Sequence, residues 1–271
     1  MSEPKRSSVR WLNPASGFLD GYSHTVNPYV GCTFGCSYCY VRRMPIGLFN
    51  PEPWGDWVKA KALDEGKFRR EWLREAGKGP LRLFMASVTD PYQPIEHEQR
   101  LTRRLLELMA EQPPDYLLLQ TRSPLVTRDI DILQKLGATV RVSMTVETDL
   151  EPIRKLFAPQ SPPLAARMRA LRELSAAGIA VQAAVSPLLP ASPDFAEKLG
   201  ELAPRIVVDD FFRGDGSGGK RTAQLKIRQL YEQAGMLEQY SARYADLFVR
   251  ELKERLPRHE IRFSQEGFAP D

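Results

Sequence analysis

Between residues 81 and 208 the chain alternates short apolar runs with amphipathic stretches of helical period, and this alternation restricts the fold more than any other feature. Runs at 81–86, 116–120, 138–144, 179–185 and 206–208 read as buried strands. The intervening 98–111, 128–136, 151–157, 164–177 and 194–202 read as helices. Leu101, Leu105 and Leu108 fall at i, i+4 and i+7, on one helical face. Leu164, Met168 and Leu171 repeat that pattern, and Gly178 is placed to end the helix. Strands joined through helices cross over right-handedly and give a parallel sheet. With a first strand in 25–30 there are six such units, fewer than the eight that close a barrel. The expected fold class is therefore α/β, an open (β/α)6 TIM-like barrel.

The rest of the chain is organised around that body. Residues 1–24 are polar and turn-rich and read as an N-terminal arm. Residues 25–213 form the barrel, with a further helix expected at 59–73. Residues 214–271 are expected to supply a glycine-rich loop, one or two amphipathic helices over 224–255 and a late strand or tail at 261–264, all packed on the same domain. At 271 residues, one domain of this kind buries about three-quarters of its unfolded surface.

Every cysteine lies in one stretch, Gly31-Cys32-Thr33-Phe34-Gly35-Cys36-Ser37-Tyr38-Cys39-Tyr40. Three thiols at C-x3-C-x2-C spacing can turn toward a common point and hold one soft metal centre. A cubane iron–sulfur cluster takes four thiolates, so three leave one iron with an open position where a ligand can be bound and activated. Two other readings use the same residues. A zinc site would take Cys32, Cys36, Cys39 and His24, giving a noncatalytic module for nucleic acid together with the basic C-terminal third. Disulfides fit poorly, since the cysteine count is odd and the chain begins Met-Ser-Glu-Pro rather than with an apolar secretory segment. Reduced thiols and a cytoplasmic location are expected.

The cysteine spacing and the Tyr-Cys-Tyr ending resemble the radical S-adenosylmethionine (radical SAM) superfamily. The segment Thr89-Asp90-Pro91-Tyr92-Gln93-Pro94-Ile95-Glu96, the lead-in Asn27-Pro28-Tyr29-Val30-Gly31-Cys32, and 128–133 resemble the subfamily that contains spore photoproduct lyase. The likeness runs from about residue 27 to about residue 190. It implies a partial barrel, a [4Fe–4S] cluster on Cys32, Cys36 and Cys39, and S-adenosyl-L-methionine chelated at the fourth iron. It also implies cleavage to a 5′-deoxyadenosyl radical, a flavodoxin- or ferredoxin-like reductant, and a nucleobase or nucleic acid as substrate. Thr89 and Asp90 would accept from the cofactor ammonium, Ser143 and Ser186 would contact its methionine or ribose, and Tyr40 its adenine. The expected reactive groups gather at the carboxyl ends of the strands, where Ser87, Thr121, Glu147, Ser186, Asp209 and Asp210 also fall.

Two departures limit what is carried over. Ser87 stands where the lyase has a hydrogen-donating cysteine, and a serine O–H bond is too strong to replace it, so Tyr38 and Tyr92 become the candidate radical carriers. Arg122 stands where the lyase has a lysine, and its two-pronged guanidinium can hold the cofactor carboxylate in altered geometry. The run Gly214-Asp215-Gly216-Ser217-Gly218-Gly219-Lys220-Arg221 imitates a phosphate-binding loop, but Arg221 occupies the place of the hydroxyl that would hold magnesium. A flap at the barrel mouth, with Lys220 and Arg221 offering charge to an anionic substrate, is expected instead. The net charge of +4 permits a nucleic-acid partner without demanding one. No apolar run approaches the ~18 residues of a membrane span.

Overall fold

The computed structural model describes residues 10–214 and 216–270. The first nine residues of the expected arm, and Asp215 of the expected flap, lie outside the described residues. Ten strands occur among those described: β1 Asn13–Pro14, β2 His24–Val26, β3 Tyr29–Gly31, β4 Val58–Ala60, β5 Arg82–Met85, β6 Tyr116–Thr121, β7 Val140–Thr145, β8 Ala180–Val185, β9 Arg205–Val208 and β10 Glu260–Phe263. Eight form one sheet in the order β1-β2-β5-β6-β7-β8-β9-β10. Every pairing in it is parallel except β1 with β2. The two ends of that order, β1 and β10, do not pair with each other, so the barrel is partial and stays open between them. β3 and β4 form a separate antiparallel pair that leads into the cysteines.

The differences from the expected elements have local causes. The strand expected over 25–30 divides at Asn27-Pro28, because proline lacks the N–H that a ladder needs. Asn27 Oδ1 instead accepts from the N–H groups of Ser87 and Val88 (2.9 and 3.1 Å). The helix expected at 59–73 is Glu65–Ala76, its start fixed by Asp64, which accepts from Lys67 N–H at 3.0 Å. Arg100, at φ 49°, splits the helix expected at 98–111 into Glu96–Gln99 and Leu101–Glu111. The C-terminal stretch holds helices Lys220–Ala223, Ile227–Gln233 and Ala242–Arg255. After them β10 joins the main sheet as a parallel neighbour of β9, placing Ile261 beside Ile206 and Phe263 beside Val208.

Alternation along the strands sorts side chains into two cores. Leu117, Leu119, Val142, Met144, Val181 and Val185 face outward and bury against Leu105, Leu106, Leu171, Leu174 and Phe195 of the helical layer. Phe84, Leu118, Ala184 and Val207 face inward and fill the lower barrel with Tyr22, Tyr116 and Phe268. The space between the unpaired edges is closed by the chain's two ends. Tyr22 O–H donates to the Phe268 carbonyl (2.6 Å) and Gln265 to the Gly17 carbonyl (3.1 Å). Gly267 lies so close to Val207 that a Cβ there would sit 2.3 Å from it. Just beyond β9, buried Asp209 accepts from Asp210 N–H (2.9 Å) and is hydrogen-bonded by Ser264 of the closing segment. Burial pushes its carboxyl up to about 7.

Among the described residues no helix is long and apolar enough to cross a membrane.

Two outcomes test this closure. Phe268→Ala should cost about 3 kcal/mol, seen as a lower urea midpoint at unchanged slope. Asp209 has its pKa raised from 3.8 to about 7, so between those values the folded chain keeps a proton that the unfolded chain has released. Its contribution is complete below the lower value and is lost as pH rises through the upper one, at about 1.4 kcal/mol per unit. Asp209→Asn cannot ionise, so its stability relative to the parent should improve from pH 5 to pH 8. A difference that does not change with pH would refute the assignment.

Candidate functional site

At the carboxyl end of the sheet the packed interior gives way to a cavity of about 610 Å³. Its wall includes Cys32, Cys36 and Cys39, followed by residues from the ends of β5 to β9: Ser87 to Asp90, Gln120 to Arg122, Thr145, Ser186 and Asp209. All three cysteines are free thiols. Burial pushes each of them up, Cys39 to about 11 with the neighbouring Cys36 adding to the effect. The loop that carries them turns at Gly31 (φ 90°) and Gly35 (φ 56°). A Cβ on Gly31 would lie 2.6 Å from Trp57, so both the left-handed backbone and the close approach require glycine there.

Irregular backbone must find its hydrogen-bond partners outside regular structure, and the segment after β5 supplies them. Gln93 is fully buried. Its Oε1 accepts from Thr33 N–H (3.0 Å), and its Nε2 donates to the Gly31 carbonyl (3.2 Å) and to Thr89 Oγ1 (2.9 Å). Thr89 O–H in turn donates to the Gly31 carbonyl at 2.5 Å. Glu96, also fully buried, accepts from the Tyr29 hydroxyl and from Thr102 N–H, and it pairs with Arg128 at 2.6 Å. Asp90 is held by three donors: Tyr92 N–H (2.9 Å) and Thr121 O–H (2.7 Å) on Oδ1, and Arg122 N–H (2.9 Å) on Oδ2. Thr89 and Asp90 thus brace the wall that faces the cavity. No role for Gln93 or Glu96 was read from the sequence, although both stand in the quoted segment.

A buried charge network crosses behind the cysteines. Arg122 Nη1 reaches Cys36 Sγ (3.0 Å), the Tyr38 hydroxyl (2.8 Å) and Glu147 Oε1 (2.6 Å). The Tyr38 hydroxyl donates to the same carboxylate oxygen. The other oxygen of Glu147 pairs with Arg167, fully buried, at 2.6 Å. Burial pushes the Glu147 carboxyl up, but Arg167 and Arg122 outweigh it and hold the group at about 2. Arg167 comes from helix Leu164–Ala176, and nothing in its helical sequence pattern marks it as part of a site.

The remaining candidates divide. Tyr40 and Ser186 line the cavity, and the Tyr40 hydroxyl donates to the Ser87 carbonyl at 2.5 Å. Ser143 does not reach the cavity wall. β7 runs on to Thr145, and Ser143 lies one inward position lower, fully buried and accepting from Gln182 Nε2 (2.8 Å). Tyr92 is buried away from the cavity, its hydroxyl donating to Asp129 (3.0 Å) with Arg128 over its ring. His24 precedes cavity-lining Thr25 on the strand, and so points to the opposite face, where its Nε2 lies 3.6 Å from Glu75. It is not beside the cysteines and cannot complete a zinc site with them. The glycine-rich stretch contributes Gly214, Gly216 and Arg221 to the cavity wall, and the helix after it is a single turn.

The donor set suits an iron–sulfur cluster: three free thiols, Cys36 buried and Cys32 and Cys39 half-buried, open into one cavity, and a guanidinium stands against one sulfur to offset anionic charge.

Comparison with known proteins agrees with this geometry. The family model described as the radical SAM superfamily matches residues 26–200. An uncharacterized protein of Methanocaldococcus jannaschii, MJ0683, is 32% identical over 193 residues, spanning 71% of this chain and 70% of that protein. Spore photoproduct lyase complexed with dinucleoside spore photoproduct superposes with a TM-score of 0.65 at 14% identity, over 96% of this chain and 81% of that one. Streptococcus suis SuiB bound to S-adenosylmethionine superposes at 0.54 with 13% identity, over 89% of this chain and 49% of that one. With its three cysteines at the mouth of a partial barrel, and with the family pattern running through most of its length, this chain belongs to the radical SAM superfamily.

Proposed function

We propose that this radical SAM enzyme binds one [4Fe–4S] cluster on Cys32, Cys36 and Cys39 and cleaves S-adenosyl-L-methionine reductively. When bound, the cluster supplies the low-potential electron that divides the sulfonium into methionine and a 5′-deoxyadenosyl radical. The observation that carries this reading is the opening of three free thiols into one cavity, with Arg122 against Cys36.

The chain's own residues hold the cofactor. Arg122 commits Nη1 to the buried network, while Nε and Nη2 carry no hydrogen bond among the described residues, so they are the donors we assign to the methionine carboxylate. Among the described residues Asp90 Oδ2 accepts one bond, which leaves it an acceptor for the ammonium, with Thr89 keeping that wall in place. Tyr40 offers a ring to the adenine and Ser186 a hydroxyl to the ribose. Tyr38, pinned between Arg122 and Glu147, is the tyrosine we assign to give a hydrogen atom, proton and electron together, to a radical in the cavity, leaving a tyrosyl radical that takes the atom back. Tyr92 and Ser143 have no such part. The radical removes hydrogen from a substrate whose class, a nucleobase or nucleic acid, is taken from likeness to the lyase. A flavodoxin- or ferredoxin-like protein supplies electrons, and the oxygen-sensitive chemistry suits the cytoplasm.

Anaerobically reconstituted protein should be brown, carry about four irons per chain, and with dithionite convert S-adenosylmethionine to methionine and 5′-deoxyadenosine. Replacing Cys32, Cys36 and Cys39 together by alanine should abolish all three properties. Protein that takes up only zinc would sink the reading. Arg122→Lys keeps the charge but loses the fork, and should weaken cofactor binding about tenfold, the worth of one charge-assisted hydrogen bond at ~1.4 kcal/mol. The check is the concentration of S-adenosylmethionine needed to perturb the electron paramagnetic resonance signal of the reduced cluster.

A further inference from the structure

Arg167 is fully buried on helix Leu164–Ala176, and the cofactor assignments leave it unused. A buried guanidinium is costly unless its donors are matched, and here each nitrogen has a partner. Nε donates to the Pro162 carbonyl (2.9 Å) and Nη2 to Ser161 Oγ (2.6 Å), while Nη1 reaches the Thr145 carbonyl (3.2 Å) and Glu147 Oε2 (2.6 Å). The bonds to 161 and 162 tie down the turn before the helix, a task that needs donors but no charge. The bond to Glu147 leads to a sulfur. Glu147 Oε1 takes Arg122 Nη1 at 2.6 Å, and that nitrogen lies 3.0 Å from Cys36 Sγ. Arg122, Glu147 and Arg167 thus form a row of charges, positive, negative and positive, with Cys36 at its end. The Glu147 and Arg167 side chains are 2% and 0% exposed, so salt screens them little.

We infer that Arg167 is a positioning residue whose charge, relayed by Glu147 and Arg122, raises the reduction potential of the cluster and keeps the outer nitrogens of Arg122 open to the methionine carboxylate. Removing that charge has two consequences. An electron entering the cluster adds negative charge, and a fixed positive total beside one sulfur stabilises the reduced state over the oxidised one. With residue 167 neutral the row sums to zero, and that preference goes. The second consequence is geometric. A carboxylate matched on one side only draws its guanidinium into a two-pronged pair, which would engage a second nitrogen of Arg122. Arg167 holds Oε2 and so limits Glu147 to its contact with Nη1. The equilibrium concerned is the passage of one electron from an external reductant onto the cluster, with no atom transferred. The inference rests on the cluster assignment proposed above.

The test is a charge series on the reconstituted holoenzyme: parent, Arg167→Gln, Glu147→Gln, and the variant carrying both. The row then sums to one, zero, two and one positive charges. The midpoint potential of the cluster is titrated with dithionite and read by electron paramagnetic resonance, and the concentration of S-adenosylmethionine that perturbs the signal is read from the same samples. Arg167→Gln should lower the potential by about 59 mV, a tenfold shift in a one-electron equilibrium, and should weaken cofactor binding about tenfold. Glu147→Gln should raise the potential, and the double variant should return it to the parent's value. A residue that only ties down the turn would give no such change of sign. Potentials that move the same way in both single variants, that match the parent in all, or that fail to return in the double would each overturn the assignment. Should Arg167→Gln take up no cluster, the rise in Glu147→Gln and its reversal in the double decide alone. A parent that takes up no iron would overturn the cluster assignment beneath it.

Discussion

The site depends on satisfying the backbone of a loop that has no regular structure of its own. Residues 32–39 bring three thiols to one cavity, and each turn of that loop leaves peptide groups without ladder or helix partners. The partners come from three directions. Gln93 and Thr89 take Gly31 and Thr33, Arg42 takes Gly35 and Cys36, and Ser37 N–H donates to the Phe157 carbonyl at 2.9 Å. Tyr29, at the entry, is fixed on Glu96. The cysteine loop is therefore positioned by the segment after β5 and by the helical layer, and the barrel's part is to hold those suppliers in register.

The second constraint is electrostatic. Burying a carboxylate costs several kcal/mol unless its charge is matched, and Glu147 is matched twice, by Arg122 and Arg167. The arrangement leaves one more positive than negative charge in the network, next to Cys36. Three thiolates and a cluster would bring negative charge to that place, so a net positive network suits them better than a neutral pair. The network also joins strand ends β6 and β7 to the helix that follows β7, which ties the cavity wall to the outer layer.

Much of this was legible beforehand. Periodicity located the five strands from 81 to 208, and the helix at 151–157 has the expected bounds, because strongly apolar runs of period 2 or 3.6 have little choice of face. The misplacements came where one residue overrides periodicity: Pro28 dividing a strand, and Arg100 in a left-handed conformation dividing a helix. Among site residues, Tyr40, Thr89, Asp90, Arg122 and Ser186 lie on the cavity wall with the cysteines. Ser143 lies below that wall because its strand continues two residues further. Tyr92 lies outside it because a neighbour in sequence can point to the other side of a turn, and here Asp129 holds it there.

The sequence by itself determined the set of three thiols and the architecture, since thiol number, thiol spacing and the alternation of strand and helix are properties of short stretches. Only the tertiary structure decided which polar side chains share the cavity. It excluded His24 by the facing of one strand residue, brought Glu147 and Arg167 behind Cys36, enlisted β10 to extend the sheet, and joined Arg43 to Gln224, 181 residues further along the chain. These are contacts between residues distant along the chain, and no local pattern encodes them, because each depends on the packing of elements whose own sequences are satisfied by many other partners.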